Sequence, residues 1–297
     1  MTYDELGYFH ENAEEAGLRW HGPPTVRRTR VVVDGRAVSA LVWGEQPAEI
    51  VLLHGGGQNA HTWDTVALAL DRPLVAIDLP GHGHSDWRDD GRLFPRDNAA
   101  TLEPVIRQLA PDAALVVAMS LGGLSAIALG AHAPDLVRRL AIVDVLPTVD
   151  RERASDVAAF LAGPETFASF DEILERTIAF NPTRSESSLR RGVLHNAVEH
   201  SDGTWRWRYQ RNLLGAGESI PDFGELWDDL DRIDAPILLV RGGDSPVVTD
   251  DDAAELLRRK PAARVEIVAG AGHSVQGDRP VELAGLIDAF SRATMNP

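Results

Sequence analysis

The chain has 297 residues, 44% of them hydrophobic and 25% charged, with a formal net charge of −16 and no cysteine. Such a composition suits a soluble globular protein, and the charge argues against nucleic acid and anionic lipid surfaces as partners. Without cysteine there is no disulfide, thiolate nucleophile or cysteine zinc site, so chemistry on a small molecule is the favoured class.

In chain order, the first 30 residues lack a long apolar run, so neither a signal peptide nor a membrane span is expected and a cytoplasmic location follows. Residues 1–22 read as a helical extension in which Leu6, Phe9, Ala13 and Ala16 share one stripe. That stripe is free to pack on the chain's own core or on a second copy in a homodimer. An Asp34-Gly35 turn between two strand-like runs predicts an antiparallel hairpin. Four continuous apolar runs follow, EIVLLH (Glu49 to His54), LVAIDL (Leu74 to Leu79), ALVVAMS (Ala114 to Ser120) and LAIVDV (Leu140 to Val145). They lack alternation, as strands covered on both faces do, and stretches of helical length separate them, which predicts an α/β fold with a mostly parallel sheet. From 147 to 234 the strand rhythm stops and helical periodicity takes over, which predicts an inserted, mainly helical cap between core segments 23–146 and 235–297. Strands resume at APILLVRG (Ala235 to Gly242) and RVEIVAG, with a last helix from about Pro280.

Three chemical features sit at the ends of these strands. Ser120 ends a buried run and opens the helix after AMSLGG, where Gly122 and Gly123 permit the tight turn of a nucleophile elbow; Ala118 stands where glycine is usual. The HGGG stretch after the first parallel strand leaves backbone N–H groups unobstructed, and the N–H groups of Gly56 and Leu121 are the expected donors to a developing oxyanion. His273, between the last strand and the last helix, is placed to serve Ser120 as a general base. The histidines His10, His21, His132, His195 and His200 read as surface or packing residues.

Taken together, HGGG, DLPGHGHSD (Asp78 to Asp86), AMSLGG, the inserted cap and GAGH resemble the α/β-hydrolase superfamily over roughly residues 26 to 293. The resemblance implies an eight-stranded, mostly parallel sheet flanked by helices, and a serine–histidine–acid triad needing neither metal nor organic cofactor. The family's usual acid position falls on Ser245, with Asp244 one residue early. Some members place the acid after the strand that follows the nucleophile helix, where this chain has Asp144, so Asp144 is favoured and Asp244 is the alternative. A serine nucleophile implies cleavage of a carboxylic ester or lactone of a small, hydrophobic or aromatic substrate. A carbon–carbon bond hydrolase and a non-catalytic ligand-binding homologue are the competing readings.

The cap contains an alternation of Trp205, Trp207 and Tyr209 with Arg206 and Arg208, which reads as an extended segment with an aromatic face. Its functional reading is a substrate wall built by Trp205 and Trp207, and its structural one is a cap core. Gly57, Trp63 and Phe160 are assigned to the same cleft from position alone.

Overall fold

The computed structural model describes residues 3–89, 91, 94–149, 152–211 and 222–293. A short helix, α1 (Phe9–Glu15), precedes the hairpin β1 (Val26–Val33) and β2 (Arg36–Trp43), whose turn places Asp34 and Gly35 at positive φ. The alternating units are then β3 (Ile50–Leu53), α2 (Asp64–Leu70), β4 (Leu74–Ile77), α3 (Pro95–Leu109), β5 (Leu115–Met119), α4 (Leu121–His132) and β6 (Leu140–Val143). An insertion follows, made of α5 (Ser155–Leu161), β7 (Thr166–Phe167), α6 (Phe170–Phe180), α7 (Glu186–Asn196), β8 (Ala197–Glu199) and β9 (Trp205–Trp207). The chain closes with α8 (Leu226–Asp231), β10 (Ile237–Gly242), α9 (Asp250–Arg259), β11 (Arg264–Val268), α10 (Val275–Asp278) and α11 (Pro280–Arg292).

The main sheet has eight strands in the order β1-β2-β4-β3-β5-β6-β10-β11. β2 runs antiparallel to β1 and β4, and every other neighbouring pair is parallel. The continuous apolar runs have a direct physical cause, because successive residues serve opposite faces and both faces are covered. Val51, Leu53, Val116 and Ile142 pack with α3, α4, α8 and α9 on one side. Ile50, Leu52, Leu115 and Val117 pack with α1, α2 and α11 on the other. Parallel strands also bring the ends of β3, β5, β6 and β10 to one edge, which is where such sheets bind ligands.

The insertion has its own core of Phe167, Ile173, Leu189, Val193, Trp207 and Tyr209. Besides its helices it holds a three-stranded antiparallel sheet, β7-β9-β8, which the mainly helical expectation did not contain. Strands of two or three residues are too short to display a period of two. Helix α8 falls inside the stretch assigned to the cap, yet Leu226, Trp227 and Leu230 pack in the core of the main sheet, so the core resumes there and not at 235. Residues 212–221 of that stretch lie outside the described residues.

The N-terminal extension packs against the chain's own core. Phe9 is buried against Trp43 with ring centroids 4.9 Å apart, and Leu6 joins the same cluster. Polar contacts tie the extension down further. Glu5 pairs with Arg28 at 2.6 Å, Arg28 pairs with the buried Asp78 at 2.6 Å, and Arg191 of α7 reaches Asn12, Glu11 and Glu15. Among the described residues no helix is long and apolar enough to cross a membrane. Truncation of Phe9 to alanine is expected to lower unfolding stability by roughly 3–4 kcal/mol, read from the midpoint of urea denaturation, because it empties a buried aromatic site. A change below about 1 kcal/mol would show that the extension is only loosely applied to the sheet.

Candidate active site

Ser120 occupies the turn between β5 and α4 with φ 51 and ψ −122, a left-handed conformation that a residue with a side chain rarely adopts. The strain lifts the serine out of the sheet edge. Gly122 makes the turn feasible, since a Cβ there would stand 2.5 Å from the His54 carbonyl oxygen and 2.7 Å from that of Leu53. Ala118 lies two residues earlier, within β5, fully buried and paired with Leu53 and Ile142.

Asp144 follows β6 and also has positive φ, 51°. Its buried carboxylate accepts three hydrogen bonds, from the Gly242 N–H at 2.9 Å, the Ser245 hydroxyl at 2.5 Å and the His273 Nδ1–H at 2.8 Å. These donors offset the desolvation of a charge placed in the interior. The Nδ1–H donation leaves Nε2 of His273 as an acceptor, and it lies 3.1 Å from Ser120 Oγ. Asp244 is exposed at the rim of the cleft, where its backbone N–H donates to Ala271 at 2.9 Å. The residue at the family's usual acid position, Ser245, therefore hydrogen-bonds the Asp144 carboxylate.

The glycine loop lies across from the serine. A Cβ on Gly56 would stand 4.0 Å from Leu121 Cβ, so the two residues proposed as donors face each other. The neighbouring N–H groups are occupied, that of Gly55 by Gln58 Oε1 and that of Gly57 by His82 Nε2 at 3.0 Å. The Leu121 N–H belongs to the first turn of α4, where the helix itself supplies no partner. Gly57 has φ +71 and its carbonyl accepts from Asn196 of α7 at 2.6 Å, which ties the loop to the insertion. Burial, followed by the nearby His54, pushes His82 down to about 3, so it stays a neutral acceptor for the loop.

These groups open into a cleft of about 470 Å³. Phe160, Leu161, Phe180 and Trp207 form its wall on the insertion side, while Gln58, Ser274 and Gln276 face it from the core. Of the residues assigned to the cleft from sequence, Gly57, Phe160 and Trp207 line it. Two do not. Trp63 closes a 3-10 turn capped by Asn59 and is fully buried in the core beside α2. Trp205 packs edge-on against Phe170 at 5.3 Å, within the insertion's own core. Aromatic residues go wherever apolar surface is available, and identity alone does not say which face they take.

The alpha/beta hydrolase family model matches residues 50–286. This chain belongs to the α/β-hydrolase family. It is 50% identical over 292 residues to a protein named esterase Rv0045c of Mycobacterium tuberculosis (strain ATCC 25618 / H37Rv), spanning 96% of this chain and 94% of that one. A solved structure of that esterase, titled for its transition metal inhibition, matches with a TM-score of 0.89 and 48% identity over 99% of this chain and 100% of the other. An sn-1-specific diacylglycerol lipase of Xenopus laevis is 28% identical over 81% of this chain and 78% of its own length.

Beside the cleft the hydrolase holds a buried cluster that sequence reading passed over. His195, read as a packing residue, stacks on His61 with ring centroids 3.8 Å apart and planes 9° apart, and pairs with Tyr3 of the extension at 2.8 Å. His61 meets Asp64 at 2.8 Å and Glu5 at 3.3 Å. Burial works against a charge on His61, but Asp64 and then Glu5 overcome it and hold its pKa up at about 9. Burial also pushes Asp64 up, against the attraction of His61, and Glu5 sets a second carboxylate beside the imidazole. His195, buried beside this cation, is pushed well below the ordinary histidine value. Donor atoms of His61, Asp64 and His195 lie within 4.8 Å of one another, the spacing of a metal site. Through Tyr3 and Glu5 of the extension, His61 and Asp64 of the core and His195 of the insertion, the cluster forms a clamp between the three parts.

The clamp has a pH signature. His61, raised above its unfolded value of 6.5 to about 9, contributes stability that is complete below pH 6.5 and lost as pH climbs through 9. His54 and His84, lowered to about 4, and His82, lowered to about 3, act in the opposite sense, because below 6.5 the unfolded chain binds protons that the fold refuses. Stability in urea is expected to peak near pH 6.5, and His61→Gln is expected to flatten the alkaline limb only. An alkaline limb that persists in His61→Gln would assign that loss to another group.

Proposed function

We propose that this hydrolase is a serine esterase that cleaves carboxylic esters of small molecules through an acyl-enzyme on Ser120. The observation that carries the reading is the unbroken relay from Asp144 Oδ2 to His273 at 2.8 Å and from His273 to Ser120 Oγ at 3.1 Å, on a serine held in a strained turn. His273 Nε2 takes the serine proton as Oγ attacks the ester carbonyl, and the fixed carboxylate of Asp144 stabilises the imidazolium that forms. The N–H groups of Gly56 and Leu121 receive the charge that develops on the carbonyl oxygen. His273 then gives its proton to the departing alcohol, and a water activated by the same nitrogen releases the acid. A lactone presents the same reacting group and opens by the same steps. Each step draws on this chain's own side chains and backbone. The relatives named as esterase and diacylglycerol lipase support ester cleavage, and the aromatic wall of Phe160 and Trp207 suits a substrate with an apolar part.

A fluorophosphonate probe is expected to label Ser120 and to leave Ser120→Ala unlabelled, with 4-nitrophenyl ester hydrolysis falling by several orders of magnitude in that variant. Folded wild-type protein that resists the probe and turns over no ester or lactone would remove the proposal. Asp144→Asn is expected to lower kcat by roughly 10⁴-fold, since an amide stabilises the wrong histidine tautomer, while Asp244→Asn stays within a few-fold of wild type. The reverse ranking would transfer the role to Asp244.

A further inference from the structure

One cation lining the cleft makes no ion pair among the described residues. Arg191 is taken up by Glu11 and Glu15, and His61 by Asp64, whereas Arg184 makes no ion pair among the described residues. It lies in the insertion just ahead of α7 and lines the same cleft as Ser120 and His273. Its Nη2 donates to Ser188 Oγ at 2.8 Å, and its Nε is buried without a partner. Burial pushes its pKa down and Asp278 and Glu15 pull it back, and the guanidinium remains a cation at any pH the protein meets. The Asp278 carboxylate is turned to the Gly272 N–H at 2.9 Å.

The seat of the guanidinium is shaped for it. A Cβ on Gly277 would stand 2.8 Å from Arg184 Nη1 and 2.9 Å from Cζ, so the group rests on backbone that carries no side chain. Gly277 lies in α10, four residues after His273. Ser120, His273 and a planar cation that makes no ion pair among the described residues therefore line one cleft. A guanidinium in that setting matches a carboxylate, whose two oxygens meet its parallel N–H groups in a charge-assisted fork.

We propose that Arg184 forms a carboxylate-binding subsite and that the ester this hydrolase turns over best carries a carboxylate on a short chain near the scissile carbonyl. The inference rests on the esterase reading above. Free acids of the same kind, such as the succinate or glutarate ions, would bind there as products.

The test compares charged and neutral esters of matched shape. One pair is 4-nitrophenyl hemiglutarate and 4-nitrophenyl valerate, which places the charge on the acyl chain. The other is the butyryl ester of 4-hydroxybenzoate and that of 4-hydroxybenzamide, which places it on the alcohol. The expected result is a kcat/KM preference of roughly 10- to 100-fold for the charged member of at least one pair, the size of a charge-assisted hydrogen bond, expressed mainly in KM. Arg184→Gln should bring that ratio close to one. Gly277→Ala, whose methyl takes the guanidinium's seat and leaves Arg184 in the chain, should do the same, so a misfolded Arg184 variant does not end the test. A wild-type enzyme that prefers neither charged ester, or a preference that survives in both variants, overturns the subsite and leaves the esterase proposal standing. Failure of all four esters together with no probe labelling of Ser120 overturns both.

Discussion

The hydrogen bond between Asp144 and His273 joins residues 129 apart in sequence, and most of the architecture serves to make it. Asp144 follows β6, and the strand beside it, β10, with the turn after it contributes the Gly242 N–H and the Ser245 hydroxyl that complete the carboxylate's shell. β11 then delivers the loop that carries His273. A parallel sheet is what allows this, because it ends β5, β6 and β10 at the same edge. Two residues with side chains, Ser120 and Asp144, accept left-handed backbone there. Strain of that kind costs on the order of 1–3 kcal/mol per residue and persists only where the surroundings leave no alternative. For Ser120 the surroundings are the closely packed backbone of β3, and for Asp144 they are the three hydrogen bonds on its buried carboxylate.

The same logic extends to the insertion, which is fastened at defined points. Asn196 holds the Gly57 carbonyl, Tyr209 pairs with His82, and Gln210 exchanges hydrogen bonds with Arg88. The N-terminal extension adds a second fastening through Tyr3 on His195 and Glu15 with Arg191. Most of these contacts are neutral hydrogen bonds and one, Arg191 with Glu15, is an ion pair, so opening the insertion on that side would strand polar groups. The glycine loop and the apolar wall of the cleft are thus held in register by the same contacts that close the fold.

The strands were legible because their apolar runs answer to burial on both faces, a constraint that acts on every residue and leaves a continuous signal. Ser120 and Asp144 were singled out for a different reason, since each stands directly after a strand whose end could be placed, and His273 lies on the loop that follows the last strand. Residues whose position depends on packing left no such mark. Trp63 was assigned to the cleft from position and Trp205 from its place on an alternating aromatic face, yet one lies in the sheet's core and the other within the insertion. His195 and Arg184 gave no periodic or spacing signal at all, because each acquires its setting from partners scattered over the chain, Tyr3 and His61 for the first and Gly277 for the second. The hydroxyl of Ser245 on Asp144 could have been anticipated from its place at the usual acid position, had side-chain direction after β10 been readable.

Charge acts on this protein at two ranges with opposite sign. The formal net charge of −16 repels an approaching anion, but in physiological salt the field of exposed charges is largely lost beyond about 8 Å. Inside the cleft the balance is local. Asp144 is covered by three donors, Asp64 is paired with His61, and Arg184 lies where water is partly excluded and screening is weak. Attraction at contact distance in such a place exceeds a screened repulsion at the surface, so the protein's acidity slows an anionic ligand's arrival more than it weakens its binding. An acidic surface and a cationic subsite are therefore compatible in one molecule, and raising the salt concentration relieves the repulsion of the first more than it weakens the attraction of the second.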